Sequence, residues 1–241
     1  MVEEKFNRRR FLEMVSVAGL MLLTGEFMYA NEDLALDHML LAINDRDRGM
    51  DWIESKLGVK PVIGGNHPGM GTRNALLSIG PNCYLEIIAP DPDQKTYTFP
   101  IDIRSITEPQ IITWCVGTKD IETLVKKAKE SGFNIMGPFA GSRTRPDGKI
   151  LKWKNAFVQE NFRVNNVDPV PFFIEWASDT LHPSQDSPKG CTLQTFEIEH
   201  PRAGKLQEVF KSLGLDAKVN QSENAKLIAT IASPKGEVKL S

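Results

Sequence analysis

Cysteine is scarce and poorly placed for structural duty. The chain has three, Cys83, Cys115 and Cys191, and none is spaced as in a CxxC pair or a zinc site. Cys83 and Cys115 fall in strand-like runs, where small buried thiols fit best; a disulfide stays open if the protein is exported. An excess of positive charge is also missing. Lys and Arg total 29 against 31 Asp and Glu, a formal net charge of -2, and the basic residues are dispersed among acidic ones. Such a surface offers no broad cationic field, so no nucleic-acid partner is expected. Nor does a glycine-rich phosphate loop follow the first strand candidate. Asn44-Asp45-Arg46-Asp47 stands there instead, which argues against a doubly wound nucleotide-binding sheet.

Apolar residues are not lacking: 41% of 241 residues is ample for one large domain or two small, closely paired ones. Residues 1–30 are set apart. Arg8-Arg9-Arg10-Phe11-Leu12 precedes an apolar run from Met14 to Leu23 that is short for a membrane span. The Arg-Arg-x-Phe-Leu order resembles the bacterial twin-arginine signal, read by the translocation machinery for folded cargo. It implies a periplasmic or other extracytoplasmic location. A cut after Ala30 would leave Met28 where a small residue is wanted, so retention as an inner-membrane anchor is a second expectation. A basic amphipathic first helix is the bland alternative.

From Leu36 onward one pattern repeats. Leu36–Ile43 reads as a strand, Gly49–Leu57 as a helix face ended by Gly58, and Thr72–Ile79 with Cys83–Ile88 as a hairpin. This first module spans 36–92. A second, 109–177, repeats the order with a strand at Gln110–Val116, a helix to about Ser131, and strands at Lys149–Phe157 and Pro171–Trp176. A third and shorter one, 191–240, has a strand at 192–198, a helix at Gly204–Leu213 and a final hairpin. One such unit cannot bury both faces of its sheet, so neighbours must pair. The expected class is therefore α+β: repeated βαβββ modules, two around a cavity, the third free to support a homodimer.

His38 stands in an apolar strand, and Glu86 and Glu175 stand inside YLEII and FFIEW. Polar groups at such positions need a partner, a proton or a cation, unless the strand is half exposed and they face water. Both glutamates lie on the last strand of their modules. A pseudo-twofold pairing would aim them into one cavity with His38, a donor set suited to Fe, Mn, Zn or Ni. The run Gly64-Gly65-Asn66-His67-Pro68-Gly69-Met70-Gly71-Thr72 reads as a close-approach loop. His67 is there either a general acid or base or a backbone-bonded wrap of the sheet edge. Asn74 is a substrate-orienting candidate and Arg143 a clamp for a carboxylate or enolate oxygen. Tyr84, Trp114, Phe172, Phe173 and Trp176 are candidate aromatic walls. His182 and His200, beside prolines, read as structural or exposed.

These phrases together resemble the vicinal oxygen chelate superfamily, which includes glyoxalase I and extradiol dioxygenases, and within it the glyoxalase-like domain branch. LDHMLLAI at 36–43, LGVKPVIGGNHPGMGTRNALLSIG at 57–80, YLEIIAPDP at 84–92, SRTRPDGKILKW at 142–153 and PFFIEW at 171–176 carry the likeness. The resemblance implies a divalent metal on His38, Glu86 and Glu175, with a fourth ligand from the strand at 110–116. Counting back from Asp120 as His38 is counted from Asp45 reaches Thr113, a poor ligand. Either three side chains and water hold the metal, or the cavity is metal-free. The first case implies lyase, isomerase or dioxygenase chemistry on a small oxygenated substrate, with His67 or Glu175 moving a proton. The second implies a binding or sequestering protein. In the third module Lys239 and Gln194 or Thr195 replace the ligands, which leaves it a packing role.

Overall fold

A computed structural model describes residues 34–241, so the export and anchor expectations for residues 1–30 lie outside it. The first unit runs β1 (Ala35–Ala42), α1 (Arg46–Leu57), β2 (Val62–His67), β3 (Thr72–Gly80) and β4 (Cys83–Pro90). Asp45 starts α1 by accepting hydrogen bonds from the Asp47 and Arg48 amides, and Gly58 ends it in the left-handed region at φ 79. The helix buries Met50, Ile53 and Leu57 on the back of the sheet, where each filled apolar site contributes roughly 1.5–3 kcal/mol. Gly49 permits that approach: a Cβ there would stand 2.7 Å from the Ile87 side chain.

The second unit repeats the order as β5 (Gln110–Gly117), α2 (Ile121–Glu130), β6 (Ile135–Thr144), β7 (Ile150–Val158) and β8 (Phe172–Trp176). In both, the first strand runs parallel to the last, and the remaining pairs are antiparallel. β1 and β5 join antiparallel at the centre, giving the eight-stranded order β2-β3-β4-β1-β5-β8-β7-β6. The order reads the same outward from both central strands, as a pseudo-twofold axis requires. The sheet curls until its outer strands meet: Gly65 of β2 lies against Arg143 and Thr144 of β6.

After a short helix, α3 (Pro183–Asp186), the third unit comprises β9 (Thr192–His200), α4 (Ala203–Ser212), β10 (Val219–Gln221), β11 (Lys226–Ser233) and β12 (Gly236–Leu240). It keeps the strand–helix–strand order but pairs differently. Its first strand runs parallel to the strand directly after the helix and antiparallel to β11, in the order β10-β9-β11-β12. This sheet packs on the convex back of the large one. The third unit's Phe196 and Phe210 sit against Trp114 of β5, with ring centroids 5.2 and 5.9 Å away.

Three strands differ from the sequence reading: β2, β6 and the short β10, which was not expected between α4 and the final hairpin. The glycine run is divided: Gly64 to His67 belong to the edge strand β2, Pro68 to Gly71 turn, and Thr72 opens β3. β6 escapes detection because the register slips between Met136 and Phe139, where Gly137 takes φ 101, and alternation is lost. Among the described residues all three cysteines are free, and no helix is long and apolar enough to cross a membrane.

Candidate functional site

The curled sheet encloses a cavity of about 430 Å³. Its deep end is polar. β1 contributes His38, β4 contributes Tyr84 and Glu86, β3 contributes Asn74, β2 contributes His67, and β6 from the opposite edge contributes Arg143. Most of the remaining wall is apolar, including Leu40, Ile88, Val170 and Phe172, with Met136 and Phe139 at the exposed rim. The connector between the units closes one side, packing Ile101, Ile103 and Ile106 on Leu40, Ala42 and Ile88.

Asn74 organises the polar end. Its Nδ2 donates to Glu86 Oε1 at 2.8 Å and contacts His67 Nε2 at 3.2 Å, while its Oδ1 accepts from Arg143 Nη1 at 2.8 Å. The amide orientation is fixed at both ends, which makes His67 Nε2 an acceptor and places its proton on Nδ1, 2.8 Å from Thr72 Oγ1. Both His67 nitrogens are therefore occupied. Burial lowers the His67 pKa, more than the neighbouring Glu86 raises it. Burial pushes Glu86 upward, but His67, His38, the Asn74 hydrogen bond and Arg143 together outweigh it, and the carboxyl titrates below its usual value.

His38 is held from behind. Its Nδ1 lies 2.6 Å from Asp37 Oδ1, and its Nε2 faces Glu86 Oε2 at 3.7 Å. Consecutive strand residues normally face opposite ways. Here the β1–β5 register slips between Leu36 and His38, and the bulge re-aims Asp37 to the side of its neighbour. Asp37 Oδ2 receives Trp176 Nε1 at 2.9 Å and meets His182 Nε2 at 3.1 Å. Burial raises its pKa, but hydrogen bonds and charge from His182 and His38 bring it down to about 2. Tyr84 stacks on His38, with centroids 4.5 Å apart and planes inclined by 16°.

The structure thus gathers His38, Glu86, His67, Asn74, Arg143 and Trp176 around one cavity. It does not bring Glu175 there. β8 presents Phe172, Ile174 and Trp176 inward, so strand alternation turns Glu175 to the other face. There its Oε2 accepts from the Ile121 amide at 2.7 Å, at the start of α2. Trp114 is also misplaced by the sequence reading. It is 0% exposed on the convex face, donating from Nε1 to the Pro169 carbonyl at 2.7 Å. Phe173 is likewise core. Asp37 was not singled out, and His182 was expected to be structural or exposed. His182 borders the site through Asp37 and Tyr84, whereas His200 is structural, bonded to the Phe162 carbonyl.

Two pseudo-twofold βαβββ units around one cavity, with site residues on the central strands, define the vicinal oxygen chelate architecture. The chain belongs to the glyoxalase-like domain family, whose model matches residues 36–214. A hypothetical protein from Staphylococcus aureus shares the fold, with a TM-score of 0.66 at 17% identity over 86% of this chain and 99% of that one. Methylmalonyl-CoA epimerase from Mycobacterium tuberculosis matches with a TM-score of 0.44 at 21% identity, over 66% of this chain and 95% of that one. A hypothetical protein from Bacillus halodurans matches with a TM-score of 0.46 at 20% identity, over 62% and 99%. No curated protein matches the sequence significantly.

That architecture implies a divalent metal on four central strands, and the side chains here do not fit it. β1 and β4 supply His38 and Glu86, but β5 offers Thr113 and β8 offers Phe172, Ile174 and Trp176. Glu86 Oε1 and His67 Nε2 are already bonded to Asn74. Among the described residues no group of three or more His, Cys, Asp and Glu is arranged to hold an ion.

Proposed function

We propose that this chain is an isomerase-type enzyme that moves a proton at the carbon beside a carbonyl group, using side chains instead of a metal. The observation that carries this reading is Arg143. It is 5% exposed, lines the cavity, and among the described residues makes one hydrogen bond, to Asn74. A guanidinium has five N–H donors, so most of them remain for a substrate oxygen. Charge developing on that oxygen in an enolate is stabilised where the cation already stands.

His38 is the base. Asp37 fixes its Nδ1 and leaves Nε2 toward the cavity, and Glu86 Oε2 at 3.7 Å holds the imidazolium once the proton has moved. The C–H electron pair flows into the enolate under Arg143, and the proton returns from His38 to carbon. His67 positions Asn74 and carries no proton in this scheme. Deuterium incorporation into benzylpyruvate in D₂O, followed by NMR, tests the reading. Wild-type protein is expected to accelerate exchange beside the carbonyl, and His38→Ala to reduce it about a hundredfold or more. Equal exchange in both proteins would sink the assignment.

A second reading, a binding or sequestering protein, is favoured by the apolar and hydroxyl residues at the remaining ligand positions. Binding with no exchange is its signature. For location, Arg8-Arg9-Arg10-Phe11-Leu12 supports export by the twin-arginine route. Replacing Arg8 and Arg9 by Lys should leave the protein in the cytoplasm; unchanged export would refute that route.

A further inference from the structure

We infer that the cavity takes a monocarboxylate with an apolar, aryl-sized body, its carboxylate on Arg143 and its body toward the mouth. This deepens the proton-transfer reading by naming the substrate class, but recognition can be tested apart from turnover.

The Arg143 position is built, not incidental. A Cβ on Gly64 would stand 2.7 Å from Arg143 Nη1 and 2.3 Å from Asn74 Oδ1, and one on Gly65 would stand 3.2 Å from Nη1. The guanidinium occupies space that only glycines leave. It also forms no ion pair with Glu86, because the Asn74 amide stands between them, donating to the carboxylate and accepting from the cation. A buried cation kept from the nearest anion by a neutral spacer is available to an anion from outside. A guanidinium can place one N–H on a carboxylate oxygen and a second on the adjacent carbonyl oxygen of a 2-oxo acid, so carboxylate capture and enolate stabilisation share one cation.

Charge limits the ligand. Glu86 lines the deep end and Asp37 stands directly behind His38, while the other charged lining residues, Arg163 and Asp168, pair with each other, so a dianion at the deep end would meet two carboxylates against the Arg143 guanidinium. A monoanion is balanced. The body must then be apolar. Phe157 and Phe172 stack 5.7 Å apart at 20° along the wall, and Phe139 and Met136 at the rim are 53% and 45% exposed. A volume of about 430 Å³ falls in the roughly 300–1,000 Å³ range of small-molecule pockets, beyond the needs of a two- or three-carbon acid.

Calorimetric titration with hydrocinnamate, its neutral amide and propionate decides the matter. Wild-type protein should bind hydrocinnamate about tenfold or more tightly than either of the others. Arg143→Gln should remove the preference for acid over amide, and Phe139→Ala should weaken hydrocinnamate while leaving propionate unchanged. The wild-type comparison needs no variant, so misfolding of Arg143→Gln cannot obscure it. Equal affinity for acid and amide, equal affinity for hydrocinnamate and propionate, or no binding of hydrocinnamate would each overturn the inference. Arg143-dependent binding of hydrocinnamate without deuterium exchange in benzylpyruvate would support it while rejecting the enzyme reading.

Discussion

At the residue scale the site depends on keeping a buried cation and a buried carboxylate apart. Asn74 does this with one amide, 1% exposed, bonded to both. Asn74→Leu removes both partners and should lower stability by about 1–3 kcal/mol in urea unfolding, with loss of hydrocinnamate binding. Gly64→Ala should abolish that binding too, since the new methyl would meet Asn74 Oδ1 at 2.3 Å. Asp37 makes the site acid-sensitive. Its carboxyl is lowered from 3.8 to about 2 in the fold. The unfolded chain therefore binds the proton first, and this contribution is present above the ordinary pKa and fades as pH falls toward the folded value. It amounts to on the order of 2 kcal/mol, and Asp37→Asn should flatten the melting-temperature profile between those two pH values. The cavity positions of His38 and Glu86 were legible because polar residues in apolar strands need a reason, and those of Asn74 and Arg143 because they flank a glycine loop and a tight turn. Asp37 was not, since simple alternation turns it away from His38, and the bulge that reverses this exists only in the pairing with β5. The His67 setting was legible as a close approach, but its target, Arg143, comes from a strand the pattern did not reveal.

At the element scale the two glutamates show how far strand equivalence can be pushed. Glu86 and Glu175 occupy the last strands of the two units, yet only Glu86 enters the cavity, because a period of two makes an offset of one residue a change of face. Glu175 instead bonds the Ile121 amide, and Asp120 bonds that of Thr123, so both serve the start of α2. Glu175→Ala should lower stability by about 1 kcal/mol in urea unfolding and leave hydrocinnamate affinity unchanged. A loss of affinity would contradict the placement. The three long helices and most strands followed from caps, glycine stops and apolar runs, while the one-turn α3 did not. β2 and β6 did not, because glycines interrupt both, and Gly64 and Gly65 of β2 are where the outer strands meet.

At the scale of the whole molecule, the β1–β5 seam joins the two units into one sheet, and the third unit supports that seam from behind through Trp114. Trp114→Ala should cost about 3–5 kcal/mol, read as a large fall in melting temperature, because Phe196 and Phe210 would close on an empty site. The repeated strand–helix–strand order was visible in the sequence, while the different pairing of the third unit was not, since order along a chain does not fix which strands become neighbours. The paired units also form the cavity together, His38 lining it from one and Arg143 from the other. In the proposed reaction this pair performs the charge stabilisation expected of a metal elsewhere in the architecture. Deuterium exchange in benzylpyruvate by protein dialysed against a chelator tests it most directly. The expected result is exchange that persists without metal and is lost in both His38→Ala and Arg143→Gln. Exchange that appears only after a divalent ion is restored, or that survives in Arg143→Gln, would contradict it.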